Sequence, residues 1–277
     1  MLKARVLTSF CLVPLALLIF FFIPLDAFAL SLGLVLVVAG WEWIRLTGLI
    51  LKGFNWIILL FFMGFIFCSY HLKVIYVPVF LAIGCGFWLG ALWLVLNYPK
   101  SKEQLGDRWM KIGFGLFVLI PAYLALLDLR RDESHLLLLS LLMTIIWAAD
   151  VGAYFVGKRY GRSRLAPSVS PGKSWAGLFG GLIAALAIGL SIAFIGEPEE
   201  SKYTPTSWAL FVVIVTVTVL FSVLGDLFES LMKRERGVKD SSALLPGHGG
   251  ILDRIDSLTA AAPVFVLLVH WTGWPSI

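Results

Sequence analysis

Along most of this chain, runs of about 20 residues with no polar face alternate with short polar turns, the length a helix needs to cross a hydrocarbon layer. Reading with that ruler predicts nine spans, at 6–25, 27–47, 54–72, 74–97, 110–128, 136–156, 175–196, 208–231 and 258–274. The fold class expected is an all-α polytopic integral membrane protein. The first span follows Lys3 and Arg5, and Ala27-Phe28-Ala29 resembles a signal cleavage site. Its apolar run exceeds the usual 7–15 residue signal core, so it is read as an uncleaved anchor. The polar positions are uneven. Residues 1–135 read as about five apolar N-terminal spans with few polar side chains inside them. Residues 136–277 read as a C-terminal region that bears the candidate chemistry, with two polar loops, 157–174 and 232–257, both rich in Gly, Ser, Lys and Arg.

Composition agrees with this reading: 60% of the 277 residues are hydrophobic and 14% charged. Soluble proteins run nearer about 45–50% and about 25%, so disorder, a secreted disulfide scaffold and an ordinary soluble enzyme are excluded. Cys11, Cys68 and Cys85 sit far apart inside apolar runs and show neither disulfide nor zinc spacing. The net charge of +5 is read as an orientation signal rather than as nucleic-acid contact, because cytoplasmic loops retain Lys and Arg. With the N-terminus in the cytoplasm, nine spans put 18 of the 22 basic residues on that side. The other side keeps Lys73, Arg130, Arg131 and Lys202, beside the acids Asp132, Glu133, Glu197, Glu199 and Glu200. The C-terminus then lies opposite the N-terminus, and both polar loops face the cytoplasm.

The remaining charges cluster. Asp226, Glu229 and Lys233 share one helix face at i, i+3 and i+7. Asp253 and Asp256 form a second i, i+3 pair at the mouth of the last span. A carboxylate in an apolar span is costly unless it is paired or bound to a cation. Four carboxylates converging from two helix ends, with no Cys, suit a hard, oxygen-liganded cation such as Mg²⁺; ion pairs to Lys233, Arg234 or Arg254 that merely hold helices together are the plainer alternative. Asp150 lies in or near the end of the sixth span with Tyr154 one turn later, and an intramembrane acid is a functional candidate by default. Glu42, between Trp41 and Trp43, is read as an interfacial ion pair with Arg45. His71, His135 and His270 sit at span ends and are read as interfacial packing.

Two loops could receive anions. His248-Gly249-Gly250 can bring backbone amides near phosphates, since Gly permits close approach, or can simply be a turn. Gly172-Lys173-Ser174 resembles the end of a P-loop, but Pro167 stands where its first Gly belongs and no strand precedes it. What remains is a Ser/Gly/Lys loop opening a helix, a ready anion site, with Ser174 also able to cap that helix. Gly177 and Gly181, at GxxxG spacing, are read as helix packing.

These residues carry a family resemblance. Ser230-Leu231-Met232-Lys233-Arg234, four residues, Lys239-Asp240, then Pro246-Gly247-His248-Gly249-Gly250-Ile251-Leu252-Asp253-Arg254-Ile255-Asp256 resembles the signature of phosphatidate cytidylyltransferases, also called CDP-diacylglycerol synthases, without mismatch over its 27 residues. The loop Ser170-Pro171-Gly172-Lys173-Ser174-Trp175 and the Asp150 segment are also similar, so the likeness spans about 147–257. Ala176 departs, where relatives often carry Glu or Gln. The resemblance implies that phosphatidic acid attacks the α-phosphorus of CTP with Mg²⁺, giving CDP-diacylglycerol and pyrophosphate; a monovalent cation is a candidate second ion. Asp226 and Asp253 are the implied primary metal ligands, with Asp256 and Asp150 as contributors. Lys233, Arg234, Lys239 and Arg254 then hold phosphates of CTP or lipid, Lys239 and Arg254 among the catalytic set, and Arg234 or Arg254 is the better fork for the lipid phosphate. Ser170, Lys173 and Ser174 form a second phosphate edge, joined by His248, Gly249 and Gly250. A homodimer in a bacterial inner membrane, with its site open to the cytoplasm, is the implied setting. The rival readings are a CTP-dependent lipid kinase, which would release CDP, and a membrane transporter using Asp150.

Overall fold

The computed structural model describes residues 10, 14–49, 60, 63, 64, 67, 68, 70, 71, 74–132, 134–195 and 204–274. Most of the third expected span, 54–72, lies outside the described residues, as do Lys3, Arg5, Cys11, Lys52, Lys73, Glu133, Glu197, Glu199, Glu200 and Lys202. Of the first span, residue 10 and residues 14–25 are described, with 14–21 helical and a break at 22–24 before the next helix.

Seven longer helices follow: α1 Leu25–Leu46, α2 Val77–Asn97, α3 Arg108–Arg131, α4 His135–Tyr160, α5 Trp175–Ile195, α6 Pro205–Arg236 and α7 Leu252–Thr272. The helices α1 to α6 are long and apolar enough to cross a membrane. They coincide with the expected spans 27–47, 74–97, 110–128, 136–156, 175–196 and 208–231, and α7 overlaps the last one. The architecture is therefore that of a helical polytopic membrane protein. Its exposed Leu30, Leu34, Ile83, Leu89, Ile183 and Phe194 are apolar surface that a water-facing protein would bury.

The polar loops are shorter than their composition suggests. Residues 158–160 continue α4, and the rest of the first loop folds as an antiparallel hairpin of β1 Arg164–Ala166 and β2 Ser170–Ser174, with a register irregularity between its ends. Pro167 and Gly172 break helical continuity there, and strand β2 ends where α5 begins. The second loop contracts to 237–251, because α6 stays helical to Arg236 and ends on Gly237 in the left-handed region at φ 69°. The Val238 N–H then bonds the Lys233 carbonyl at 3.0 Å, a helix-ending turn that glycine permits. At 1.5 Å per residue, α6 is about 48 Å long against a hydrocarbon core of about 30 Å. Its last turns, which carry Asp226, Glu229 and Lys233, can stand beyond the apolar layer.

Packing inside the bundle sets where those turns point. Gly181 lies so close to α4 that a Cβ would come within 2.6 Å of the Ala149 carbonyl oxygen, and one on Gly177 within 3.1 Å of that of Ala153. Both glycines serve helix packing, as their spacing predicts, and the surface they meet is α4 of the same chain. Gly225 does the same for α6 and α7, where a Cβ would sit 2.4 Å from the Asp256 carbonyl oxygen. The fully buried Phe228 of α6 is ringed by Trp43 of α1, Phe87 and Trp88 of α2 and Phe114 of α3, with ring centroids 5.6–6.1 Å away. This aromatic nest docks the functional end of α6 onto the N-terminal helices.

Candidate active site

A cavity of about 570 Å³ opens between α4, α5, α6 and the hairpin. Asp150, Tyr154 and Lys158 line it from α4, Arg164, Gly172, Lys173 and Ser174 from the hairpin, and Asp226 from α6. Val219, Val223 and Leu178 give it an apolar floor. Asp150 lies well inside α4 rather than near its end, and its side chain is exposed to this space. Tyr154 shares the face, as one-turn spacing predicts. Ser174 is buried and accepts from the Gly177 N–H at 3.1 Å, so it is a cap for α5. Lys173 reaches across from β2 and pairs with Asp226 at 2.8 Å, also donating to the Val223 carbonyl at 3.4 Å. The Ser230 hydroxyl donates to the other Asp226 oxygen at 3.2 Å.

Beside this pair lies a second one. Lys233 bridges Glu229 at 2.5 Å and Asp253 at 2.7 Å. The shared face of Asp226, Glu229 and Lys233 is thus divided: Lys233 turns to Glu229 and α7, while Asp226 turns to the hairpin. Asp226 is 30% exposed and Asp253 only 6%, because the other Asp253 oxygen accepts from Ser241 N at 2.9 Å, Ser241 Oγ at 2.8 Å and Gly250 N at 2.7 Å. Asp256 accepts from Ser257 N at 2.8 Å and lies within electrostatic reach of Asp226, as does Asp150. Of the four expected ligands, Asp226 and Asp253 thus belong to two separate ion pairs, while Asp150 and Asp256 lie within electrostatic reach of Asp226. Among the described residues, no group of three His, Cys, Asp or Glu stands in ligating positions.

The anion candidates are distributed around these pairs. Arg234 is exposed and its Nε donates to the Val169 carbonyl at 3.1 Å, tying α6 to the turn of the hairpin. Arg254 is exposed with its Nε on the His248 carbonyl at 3.2 Å. Lys239 lies exposed in the 237–251 segment, and Ser170 is half-buried on β2. Gly249 has φ 81°, and a Cβ there would meet an Asp253 oxygen at 2.6 Å. The Gly250 amide is bonded to Asp253, so this Gly-Gly pair lets the backbone wrap a protein carboxylate.

Sequence reasoning missed what stands behind Asp253. Glu42 makes no ion pair with Arg45, whose guanidinium lies over the Trp41 ring at 4.7 Å. Instead Glu42 is 0% exposed and accepts hydrogen bonds from Ser241, Ser242, Ile251 and Leu252. The available signal was a lone acid inside an otherwise apolar span; its flanking tryptophans made it look interfacial. Glu235 was missed as well: it accepts from the Tyr98 hydroxyl at 3.0 Å and pairs with Lys111 at 3.6 Å, fastening the end of α6 to α3 and the segment after α2. Burial first, and then Glu235, pushes the Tyr98 hydroxyl's pKa up, so it stays a donor. His270 was read as packing and is paired with Asp128 at 2.6 Å, far along α7 from this site.

Comparison with known proteins agrees over the whole chain. The pattern defining the family described as "Cytidylyltransferase family" matches residues 3–272. A phosphatidate cytidylyltransferase of Pseudomonas aeruginosa is 42% identical over 275 residues, covering 99% of each chain. Its counterpart in Haemophilus influenzae is 42% identical over 282 residues, or 96% of this chain and 97% of its own. One from Brucella suis is 35% identical over 229 residues, or 82% and 72%.

Proposed function

We infer the reaction from a premise the comparisons establish: the chain belongs to the cytidylyltransferase family. Its activity is phosphatidate cytidylyltransfer in phospholipid biosynthesis, from CTP and phosphatidic acid to CDP-diacylglycerol and pyrophosphate. The chemistry proposed for it is direct. A phosphate oxygen of phosphatidic acid, already ionised near neutral pH, forms a bond to the α-phosphorus of CTP. The bond from that phosphorus to the bridging oxygen breaks, and pyrophosphate leaves with the electron pair. No protein nucleophile is needed.

Both reactants are anions, so the protein's task is to offset repulsion and growing phosphate charge while holding the two groups in line. The observation that carries this reading is the pairing of Lys173 with Asp226 at 2.8 Å and Lys233 with Asp253 at 2.7 Å, two lysine–carboxylate pairs at the cavity and behind it. Such a set fits Mg²⁺: its candidate ligands are all carboxylate oxygens, and two of them already hold a cation each. Mg²⁺ is usually held by one or two carboxylates plus substrate phosphate oxygens. Asp226 and Asp253 are proposed as the primary ligands, with Asp256 and Asp150 as contributors. The ion, when bound, would neutralise charge on the CTP phosphates. Lys173 and Lys233, with Lys239, Arg234 and Arg254, would draw the phosphates of CTP and lipid to the same place, Ser170 flanking them from β2. The apolar cavity floor suits the glycerolipid end of phosphatidic acid.

The proposed setting is a bacterial inner membrane, nine spans, N-terminus and both polar segments in the cytoplasm, supported by the basic asymmetry of the loops. A homodimer is the proposed assembly; since α4 covers Gly177 and Gly181, a second copy would dock on another face. The test is an assay with labelled CTP and phosphatidic acid in detergent, with and without Mg²⁺. Lipid-linked CMP with stoichiometric pyrophosphate is expected. Release of CDP instead would point to γ-phosphoryl transfer, and absence of a lipid-linked CMP product would overturn the reading.

A further inference from the structure

We propose that Glu42, in the N-terminal half, is a positioning residue for this reaction: it holds the segment Ser241–Leu252 and the start of α7 so that Asp253 faces Lys233. The proposal deepens the reaction assigned above and rests on it.

The argument starts from burial. A carboxylate removed from water is strongly destabilising unless its oxygens are bonded. Glu42 is fully buried and has no ion pair among the described residues. Four donors compensate it. Oε1 accepts from Ser242 Oγ at 2.5 Å and Ile251 N at 3.1 Å; Oε2 accepts from Leu252 N at 2.6 Å and Ser241 Oγ at 3.2 Å.

Two of those donors are amides at the start of a helix. The first amides of any helix lack intrahelical partners and are usually met by an oxygen on the N-cap side chain. Here the N-cap is Ile251, which has no such oxygen. Glu42 supplies it from α1, and the positive end of the α7 dipole favours its negative charge. The helix that carries Asp253 is thus capped by a residue about two hundred positions earlier.

The other two donors bring the acid to the reaction. Ser241 shares its one hydroxyl proton between Glu42 and Asp253, the latter closer, and gives its amide to Asp253 as well. Gly250 sits in the gap between them: a Cβ there would be 2.3 Å from Glu42 Oε1 and 2.1 Å from Ser241 Oγ. The same residue's amide binds Asp253. Glu42 therefore grips both ends of the segment whose Ser241 and Gly250 amides orient Asp253, and Asp253 in turn holds Lys233. No Glu42 atom needs to touch a substrate for this.

The test pairs Glu42→Gln with wild type in two measurements on the full chain in detergent. Gln keeps the length and one carbonyl oxygen, but its amide nitrogen must face at least one of the two backbone N–H groups. Amide exchange is expected to rise about tenfold or more at Ser241 and Gly250–Leu252 while protection elsewhere is kept. Turnover is expected to show kcat lower by about 10–100-fold, with the KM for CTP changed by less than about threefold. Unchanged exchange at those amides would overturn the proposal, and so would unchanged kcat. Exchange rising evenly over the bundle would reduce Glu42 to a folding role and overturn it too. If Glu42→Gln does not fold, Ser242→Ala removes one Glu42 donor and must show the same local pattern at smaller amplitude, or the proposal fails. If wild type forms no CDP-diacylglycerol, the assigned reaction falls, while the exchange measurement still decides whether Glu42 holds the segment.

Discussion

The two halves of the chain meet at the same site with opposite chemistry. In residues 136–277, Lys173 with Asp226 and Lys233 with Asp253 form ion pairs at the cavity or just behind it. Residues 1–135 contribute one carboxylate that meets only neutral donors, and an aromatic nest around Phe228. The difference separates two physical tasks. Groups that meet phosphates must be charged, so they occupy helix ends and the hairpin. Groups that hold those in place must be dry and satisfied, so they lie buried between helices.

Removing charge from the second half should have the largest effect. Asp226→Asn and Asp253→Asn are each expected to lower Mg²⁺-dependent CDP-diacylglycerol formation by about 10²–10³-fold, on the scale of one lost charge-stabilising contact. Near-normal turnover in both would remove the metal assignment. Phe228→Ala attacks the seam between the halves. Its loss of four ring contacts should destabilise the protein by about 3–5 kcal/mol, seen as a lower unfolding temperature in detergent, and an unchanged temperature would mean the halves are not joined there.

Smaller changes sharpen the boundary. Gly250→Ala forces a methyl between Glu42 and Ser241 and is expected to cost about 1–3 kcal/mol by overpacking. Gly113→Ala, with nothing within 4 Å of the added carbon, should be tolerated; equal losses in the two by thermal unfolding would contradict the close approach at Gly250. Glu235→Gln weakens the tie to Tyr98 and Lys111, with an expected cost of about 1 kcal/mol and turnover nearly kept. Least of all, Arg45→Ala should remove a cation–π contact of about 0.5–1 kcal/mol and leave kcat unchanged, because Glu42 is held by other partners. A large fall in kcat would show that Arg45 does support Glu42.

Much of this was legible in the residues. Unbroken apolar runs marked six helices to within a few residues, since a helix in hydrocarbon must satisfy its own backbone and needs a fixed length. The signature from Ser230 to Asp256 carried the family. Helical spacing placed Asp150 with Tyr154 and Lys233 with Glu229. It could not say that Asp226 turns to Lys173, because that contact crosses from β2 to α6 and no local period encodes it. The hairpin was missed for a related reason: Pro and Gly predicted a break in the helix, and strand pairing supplied the rest.

Glu42 is the sharpest case. Its position in an apolar span between two tryptophans was open to an interfacial reading, and only the bundle brings it to Ser241 and the first amides of α7. Sequence alone determined the solvent, the helix lengths, the family and the list of charged groups, because these depend on residue type and near-neighbour spacing. The tertiary structure decided which carboxylate meets which ammonium and which acid stays dry, because those outcomes depend on close approaches, such as that at Gly250, between segments far apart in the chain.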